Sequence, residues 1–299
     1  EYLRVALAVE YGKGGIYLMG IKSRLKKGHR LSVPGVFDPF SALVCENQNF
    51  DTLYMSGYGV SATLLGLPDA GFVSFSQMND RLRSIAQVTT SSIIADGDTG
   101  FGGLANVEQT VVGYEQSGAD AIQLEDQEFP KRCGHTRNRS VISKTEMVEK
   151  IRVAKESRAS DDFLIIARTD SLGIEGIDNA CRRGNDYIEA GADILFIEAP
   201  ENESQLERIC NRFDSIPLVA NMVQGGVTPI LSDKCLFEMG FSIILHPTYL
   251  LGAVYGAISN AARNLKAASP AKVVDLGTLN SLLGFDRIWE LDERLPQKK

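Results

Sequence analysis

Eight short apolar runs recur along the chain, each followed by polar or glycine residues and then by a segment with helical spacing. They are predicted to be strands and read RLSVPG (30–35), TLYMSG (52–57), SIIADGD (92–98), AIQLED (121–126), FLIIART (163–169), ILFIEA (194–199), PLVANM (217–222) and SIILHP (242–247). Runs of this kind that alternate with helices indicate a parallel sheet covered on its outer face. Eight such units in 299 residues predict an α/β fold, a (β/α)8 barrel of the TIM type.

The predicted barrel core covers about residues 30–266, within a single domain that spans 1–299. A doubly wound sheet is the alternative, but it would leave two predicted strands unexplained, and no GxGxxG motif follows the first strand. An N-terminal extension and a helical tail at 267–299 lie outside the eight units. The apolar content of the tail, as in LNSLLGFDRIWELDERL, predicts packing against a barrel end or against another subunit.

Charge, hydropathy and cysteine usage exclude several classes of partner. The net charge is −7, with 38 acidic against 31 basic residues, whereas nucleic-acid binding needs clustered Lys and Arg. No apolar run reaches the roughly 20 residues that span a bilayer, and charged residues interrupt the N-terminal apolar segment, which argues against a secretory signal. The five cysteines are scattered without a CxxC pair, as in a reducing compartment. We therefore expect a cytoplasmic protein; because the chain begins at Glu1, organellar targeting stays open.

Polar side chains cluster at the ends of the predicted strands. In a barrel of this kind the active site lies at the carboxyl ends of the strands, where the loops of different units converge. Charge at buried strand ends is costly unless it is paired, hydrogen-bonded or bound to metal, so the acidic members of this set require a cation. The set comprises Ser56, Gly57, Tyr58, Asp96, Asp98, Glu125, Asp126, Arg168, Asp170, Glu198 and Asn221.

Three of these acids form a candidate metal site. Asp96 and Asp98 are two residues apart, which places them on one face of a strand. Glu125 and Asp126 end the next predicted strand, and both are expected to face the same rim. An all-oxygen ligand set suits Mg²⁺, with Mn²⁺ as the alternative. The DxD pattern alone is equally compatible with an ordinary Asp- and Gly-rich turn that ends a strand.

The basic residue at the fifth strand has two interpretations. The planar guanidinium of Arg168 can bind a substrate carboxylate in bidentate fashion. Alternatively, Arg168 forms a structural salt bridge to Glu198 or Asp170.

The segment EDQEFPKRCGHTR, residues 125–137, is too long and polar for a minimal connection between a strand and a helix, which favours a lid. Its thiol, Cys133, lies beside Lys131, Arg132 and His135, and these cations predict a lowered thiol pKa and proton exchange near neutral pH. The alternative is a surface thiol in a basic loop. The other four cysteines fall in helix-like stretches and are expected to be small buried hydrophobic residues.

An ordered set of motifs, SGYGVSATLLGLPD, DGDTGFGG, LEDQ with KRCGH, IIARTDS and ANMVQGG, resembles the isocitrate lyase and phosphoenolpyruvate mutase superfamily. The resemblance runs from about Val33 to Tyr255. The short chain is similar to the group of methylisocitrate lyases, dimethylmalate lyases, oxaloacetate hydrolases and petal death protein. This resemblance implies a Mg²⁺-dependent barrel that cleaves a carbon–carbon bond, and a homotetramer in which a C-terminal helix is exchanged between subunits.

The resemblance also implies roles for individual residues. Asp96 and Asp98 match the metal aspartates, and Glu125 matches a residue that binds the metal directly or through water. Cys133 matches the cysteine that donates a proton. The remaining matches are the carboxylate-binding loop Ser56, Gly57 and Tyr58; the carboxylate Asp69 near metal and substrate; the loop residues Lys131, Gly134 and His135; and the substrate neighbours Arg168, Glu198 and Asn221.

Three positions bear on the choice of reaction. The cysteine of KRCGH favours a lyase, although a carboxyphosphonoenolpyruvate mutase or phosphoenolpyruvate mutase-like enzyme stays open. Pro247 stands where oxaloacetate hydrolases, which make oxalate and acetate, characteristically carry Ser. Gly252 stands where methylisocitrate lyases carry an Arg for the extra carboxylate. The predicted substrate is therefore a small 2-hydroxy dicarboxylate such as 2,3-dimethylmalate or another alkylmalate, with methylisocitrate and oxaloacetate as alternatives. Intact acids and thiol argue against a catalytically silent barrel.

Overall fold

Eight parallel strands close into one barrel in chain order. The computed structural model describes residues 19–136 and 138–295. The strands are β1 Leu31–Val36, β2 Thr52–Met55, β3 Ser92–Asp96, β4 Ala121–Glu125, β5 Leu164–Thr169, β6 Ile194–Ile197, β7 Leu218–Asn221 and β8 Ile243–His246. The predicted TIM barrel is confirmed. Every predicted start lies within one residue of the observed one, and six predicted strands run one or two residues past the observed end.

The helices between β1 and β8 cover the outside of the barrel. The helices of the described residues are α1 Ile21–Lys26, α2 Pro39–Asn47, α3 Gly57–Leu65, α4 Phe75–Ala86, α5 Leu104–Gln116, α6 Lys144–Ser157, α7 Leu172–Glu175, α8 Ile177–Ala190, α9 Glu203–Arg212, α10 Asp233–Met239, α11 Tyr249–Lys266, α12 Leu276–Leu282 and α13 Phe285–Asp292. Local signals set their ends. The Asp38 carboxylate accepts a hydrogen bond from the Ser41 backbone at the start of α2, and Gly191, in the left-handed region at φ 112°, ends α8.

Side-chain alternation along the strands divides the core and positions the site. Apolar residues at every second strand position fill the barrel interior, and the intervening residues pack against the helices in separate clusters. The interior cluster includes Ile94, Ile166 and Phe196. Two residues further along the same strands, the next inward side chains are polar. The inward-facing positions of the strands therefore lead directly from the apolar interior to the charged rim.

The chain divides into two compact units, the first ending at Leu251 and the second beginning at Gly252. The single domain over residues 1–299 stays a prediction. No described side chain of α11, α12 or α13 is buried. Within the second unit several large apolar side chains are exposed: Tyr255, Ile258, Leu265, Val273, Val274, Leu276, Leu283, Phe285, Ile288, Trp289 and Leu295. The predicted end of the barrel core at residue 266 coincides with the end of α11.

Most of the predicted N-terminal extension, residues 1–18, lies outside the described residues. Helix α1 follows it, and its Ile21 belongs to the interior cluster together with Leu31 at the start of β1. This helix therefore lies against the end of the barrel opposite the charged rim. Across residues 19–136 and 138–295, no helix combines the length and the apolar character that crossing a bilayer requires.

Candidate active site

The DGD segment brings two carboxylates together at the end of β3. Asp96 and Asp98 are 5% and 7% exposed, and the Asp98 backbone N–H donates to Asp96 Oδ1 at 3.2 Å. The strand ends at Asp96, however, and Asp98 lies in the loop with φ 47°. The two carboxylates do lie together, but the expected reason, a shared strand face, is wrong because Asp98 is not part of the strand. The turn, in a left-handed conformation that Asp tolerates, keeps both carboxylates on the rim.

Residues 56–58 begin helix α3 directly beside these acids. The Ser56 hydroxyl accepts from the Gly59 backbone N–H at 3.2 Å and caps the helix, while the Gly57 N–H donates to Asp96 Oδ2 at 3.2 Å. A Cβ on Gly57 would lie 2.7 Å from that same oxygen, so only glycine allows this approach. The third residue, Tyr58, is 38% exposed. The predicted carboxylate-binding loop is therefore adjacent to the acids, with its backbone N–H groups at a helix N-terminus.

Lys131 lies among the rim carboxylates as a buried cation. Its Nζ is 2.5 Å from Asp69 Oδ1 and 2.6 Å from Asp98 Oδ1, and its side chain is 3% exposed. Burial alone would lower the pKa of Lys131, but Asp98 and Asp69 raise it well above its ordinary value. Burial raises the pKa of Asp98 to about 7 against the opposing effect of Lys131. The KRCGH segment therefore contacts the acid cluster through the side chain of Lys131.

The rim acids match a hard cation in their chemistry. Glu125 is 2% exposed, its Oε1 is buried without a hydrogen-bond partner among the described residues, and burial raises its pKa well above the ordinary value. A cation would satisfy this oxygen, and the all-oxygen donor set of Asp96, Asp98 and Glu125 suits Mg²⁺ or Mn²⁺. Among the described residues, no group of three His, Cys, Asp or Glu side chains has the spacing of a formed metal site.

Arg168, at the end of β5, contacts three carboxylates. Its Nε and Nη2 donate to Asp170 Oδ2 and Oδ1 at 2.8 and 2.9 Å, and it lies 3.3 Å from Glu198 and 3.5 Å from Glu125. The structural salt bridges considered for Arg168 are thus present. Burial would raise the pKa of Glu198, but Arg168 and His135 together lower it to about 2. The Glu198 carboxylate is therefore charged at neutral pH.

Residues 131–136, called the lid below, cover this rim. A Cβ on Gly134 would lie 2.3 Å from Arg168 Nη2 and 2.7 Å from Glu198 Cγ, so the backbone of the lid rests directly on both side chains. His135 Nε2 is 3.2 Å from Glu198 Oε1, and the Val227 backbone N–H donates to His135 Nδ1 at 3.1 Å. The predicted lid and the predicted substrate neighbours are thus brought together in one place.

The thiol of Cys133 differs from the prediction. It is half-buried, and burial raises its pKa, with the His135 backbone N–H as the main opposing contact. The predicted lowering of the thiol pKa is wrong because the neighbouring cations in the sequence do not contact the thiol. Lys131 pairs with two carboxylates, and Arg132 is exposed. At neutral pH the thiol is protonated and can donate a proton.

Asp126 does not face the rim. Its carboxylate accepts hydrogen bonds from Thr169 Oγ1 at 2.7 Å, Tyr187 Oη at 2.7 Å and the Asp170 backbone N–H at 2.8 Å. The prediction that it faces the metal is wrong, because Glu125 points inward and its neighbour must point outward. Asp126 instead supports Asp170 from behind. Arg183 also reaches this carboxylate, at 3.4 Å.

The remaining predicted residues lie at β7 and β8. Asn221 Nδ2 donates to Glu198 Oε2 at 3.0 Å, and its Oδ1 is buried without a partner among the described residues. Pro247 is buried, and its carbonyl oxygen would lie 2.2 Å from a Cβ on Gly35 of β1. Gly252 begins the second unit, and a Cβ there would meet open space. Three cysteines, Cys45, Cys181 and Cys210, are buried in helices as expected, whereas Cys235, also helical, is half-buried.

Comparison with known proteins gives a consistent set of relatives. The family model described as phosphoenolpyruvate phosphomutase matches residues 21–266. The 2,3-dimethylmalate lyase of Eubacterium barkeri is 42% identical over 264 residues, which cover 87% of this chain and 91% of the relative. The 2-methylisocitrate lyase of Vibrio cholerae is 33% identical over 290 residues, which cover 93% of each chain.

Solved structures agree over nearly the same length. A crystal structure of 2,3-dimethylmalate lyase has a TM-score of 0.87 at 33% identity and covers 91% of this chain and 93% of its own. Oxaloacetate acetylhydrolase with the inhibitor 3,3-difluorooxalacetate has a TM-score of 0.86 at 31% identity, with coverages of 89% and 92%. Phosphonopyruvate hydrolase, solved with oxalate and Mg²⁺, has a TM-score of 0.82 at 28% identity, with coverages of 92% and 97%.

Proposed function

Because the chain belongs to the phosphoenolpyruvate mutase and isocitrate lyase superfamily and its named relatives include carbon–carbon lyases, we propose that it is a Mg²⁺-dependent lyase for a 2-hydroxy dicarboxylate. The products are a 2-keto acid and a carboxylic acid. The placement of Cys133 carries this proposal: its thiol is protonated at neutral pH, and the lid that bears it rests on Arg168 and Glu198.

The chemistry needs one proton to leave a hydroxyl and one to reach a carbon. When a base removes the proton of the 2-hydroxyl, a C=O bond forms at C2 and the bond between C2 and C3 breaks. The electron pair of that bond becomes an enolate of the leaving acid. Cys133 Sγ–H then donates its proton to C3 and becomes a thiolate. A positioned general acid of this kind contributes about 100- to 10,000-fold in rate.

Residues of the rim bind and orient the substrate. The guanidinium of Arg168 and the backbone N–H groups that begin α3 are the donors suited to the two carboxylates. Asp96, Asp98 and Glu125 would hold Mg²⁺, which when bound polarises carbonyl and hydroxyl oxygens as a Lewis acid. The lid, with Gly134 against Arg168, excludes water and so protects the enolate from protonation by solvent.

A dicarboxylate is favoured over a tricarboxylate. Among the described residues of the rim, the buried Lys131 is already paired with Asp69 and Asp98, so Arg168 and the N–H groups of α3 remain as the donors for two substrate carboxylates. A further substrate carboxylate would be buried without a cation, which is costly. The relative from Eubacterium barkeri is named for 2,3-dimethylmalate, which is a dicarboxylate. Hydrolysis of oxaloacetate is the second candidate, since an oxaloacetate acetylhydrolase is among the structural neighbours.

A substrate panel tests this proposal. Purified protein with Mg²⁺ should release a keto acid from 2,3-dimethylmalate or another alkylmalate, with a kcat/KM at least about tenfold above that for methylisocitrate or oxaloacetate, and EDTA should abolish the release. Oxalate formed from oxaloacetate at a higher kcat/KM would favour the hydrolase instead. Faster cleavage of methylisocitrate than of any malate derivative would contradict the dicarboxylate assignment.

A homotetramer is the assembly that we propose. The exposed apolar side chains of the second unit, among them Ile258, Phe285 and Trp289, support burial against another subunit, because monomers rarely expose so many large apolar residues together. Light scattering of the purified protein should give a mass of four chains. A monomeric mass at micromolar concentration would contradict this assembly.

A further inference from the structure

Asp170 is a buried carboxylate shared by two arginines. Arg168 occupies both of its oxygens from the barrel side. Arg139, which follows the lid in the chain, donates from Nη1 to Asp170 Oδ1 at 2.8 Å, and its side chain is 10% exposed while that of Asp170 is fully buried. Asp170 itself is held from behind, because its backbone N–H donates to Asp126 at 2.8 Å. Arg139 therefore has an anchored partner.

The second contact of Arg139 is with the lid. Its Nε donates to the Thr136 carbonyl oxygen at 3.1 Å. Thr136 in turn donates to the Cys133 carbonyl oxygen from its hydroxyl at 2.7 Å and from its backbone N–H at 3.0 Å. One guanidinium thus joins the turn that begins at Cys133 to the carboxylate that holds Arg168.

We propose that Arg139 is a positioning residue that fastens the Cys133 turn to the Asp170–Arg168 pair. A guanidinium can make both contacts at once because its donors point in fixed, separate directions, whereas a lysine ammonium is a single point of charge. The lid has several other attachments: Lys131 pairs with the acids, His135 contacts Glu198 and Val227, the Cys133 backbone N–H donates to the Asp69 carbonyl oxygen, and the Arg132 backbone is held by Gln127. Loss of Arg139 therefore leaves the fold in place and misplaces the thiol. The catalytic part of this inference rests on the proposed function.

Two variants and a matched control test the inference. Arg139→Ala removes both contacts, and Arg139→Lys retains a charge for Asp170 without the bridge to Thr136. Arg152→Ala is the control, since Arg152 has the same charge but an exposed side chain in α6, outside the lid. The first measurement is the rate of Cys133 alkylation by iodoacetamide, mapped by mass spectrometry, with half-buried Cys235 as the internal reference. Melting temperature verifies that each variant is folded.

Arg139→Ala should raise the alkylation rate of Cys133 relative to Cys235 by about tenfold and lower kcat by about 10- to 100-fold, the cost of misplacing a reacting group, with KM changed less than threefold. Arg139→Lys should lie between Arg139→Ala and the wild type in both measurements. The Arg152→Ala control should match the wild type. Equal alkylation rates in Arg139→Ala and Arg152→Ala would overturn the inference. Alkylation needs no turnover, so absence of lyase activity in the wild type would contradict the proposed function and leave this comparison valid.

Discussion

Cys133→Ser is expected to lower kcat by about 100- to 10,000-fold, the range that a general acid contributes, with Mg²⁺ and product binding nearly unchanged. The serine hydroxyl is almost the same size as the thiol but is a much weaker acid, so the substitution removes the proton donor and little else. Burial raises the pKa of the Cys133 thiol, which keeps it protonated at neutral pH and ready to donate. Steady-state kcat and KM with the best substrate of the panel measure the effect.

The control for this variant is Cys235→Ser, which changes a half-buried thiol in α10 and should leave kcat unaltered. Calorimetric titration with Mg²⁺ and with the keto acid product verifies that the rim of Cys133→Ser still binds. Turnover above about a tenth of the wild-type value would remove Cys133 as the acid. Loss of both binding and turnover would indicate a structural role for the thiol instead.

The strands were predictable because each is short, apolar and buried on both faces, a pattern that polar loops do not imitate. The predicted ends were too long where the backbone turns out of the extended conformation while the polar rim residues continue. Asp98 illustrates the reason: its side chain remains on the rim and its carbonyl oxygen accepts from the Glu125 N–H at 2.9 Å, but its backbone leaves the strand with φ 47°. Side-chain chemistry marks the rim, whereas backbone conformation marks the strand end, and only the first is visible in the sequence.

The electrostatics of the lid were not predictable from neighbours in sequence. Lys131 is two residues from Cys133, yet its ammonium pairs with Asp69 and Asp98, which come from other parts of the chain. Once those pairs form, the lysine no longer lowers the pKa of the thiol. Burial then raises that pKa. The outward orientation of Asp126, by contrast, followed from alternation once Glu125 was taken as inward, so the sequence contained that signal.

The contacts of Arg139 left no sequence signal. Its partner Asp170 is 31 positions away along the chain, and a basic residue in a polar loop is ordinarily solvated. Tyr187 and Arg183, which reach Asp126 from α8, likewise look like ordinary members of an amphipathic helix. Residues that position a site from behind are recognised only when the fold brings their partners together.

Arg168→Ala is the second variant with a large expected effect, because Arg168 is buried among Glu125, Asp170 and Glu198. Removing one partner of a buried ion pair costs about 3–5 kcal/mol of unfolding free energy. Glu198 contributes through its pKa of about 2 in the folded protein, since Arg168 is the main group that lowers it. Above the ordinary pKa of Glu this ionisation stabilises the fold, and the benefit is lost as pH falls toward 2.

Turnover and stability can be separated with a second substitution. Arg168→Ala should lower kcat/KM by about 100- to 1,000-fold, as loss of a preorganised charged donor does, and should unfold at lower urea concentration than the wild type. Arg168→Lys keeps a cation among the three carboxylates, so it should regain most of the stability, but without the planar fork it should remain at least about tenfold less active. If Arg168→Lys matched the wild type in kcat/KM, bidentate binding of a substrate carboxylate would be excluded. If Arg168→Ala retained wild-type stability at neutral pH, the buried network around Glu198 would not stabilise the fold.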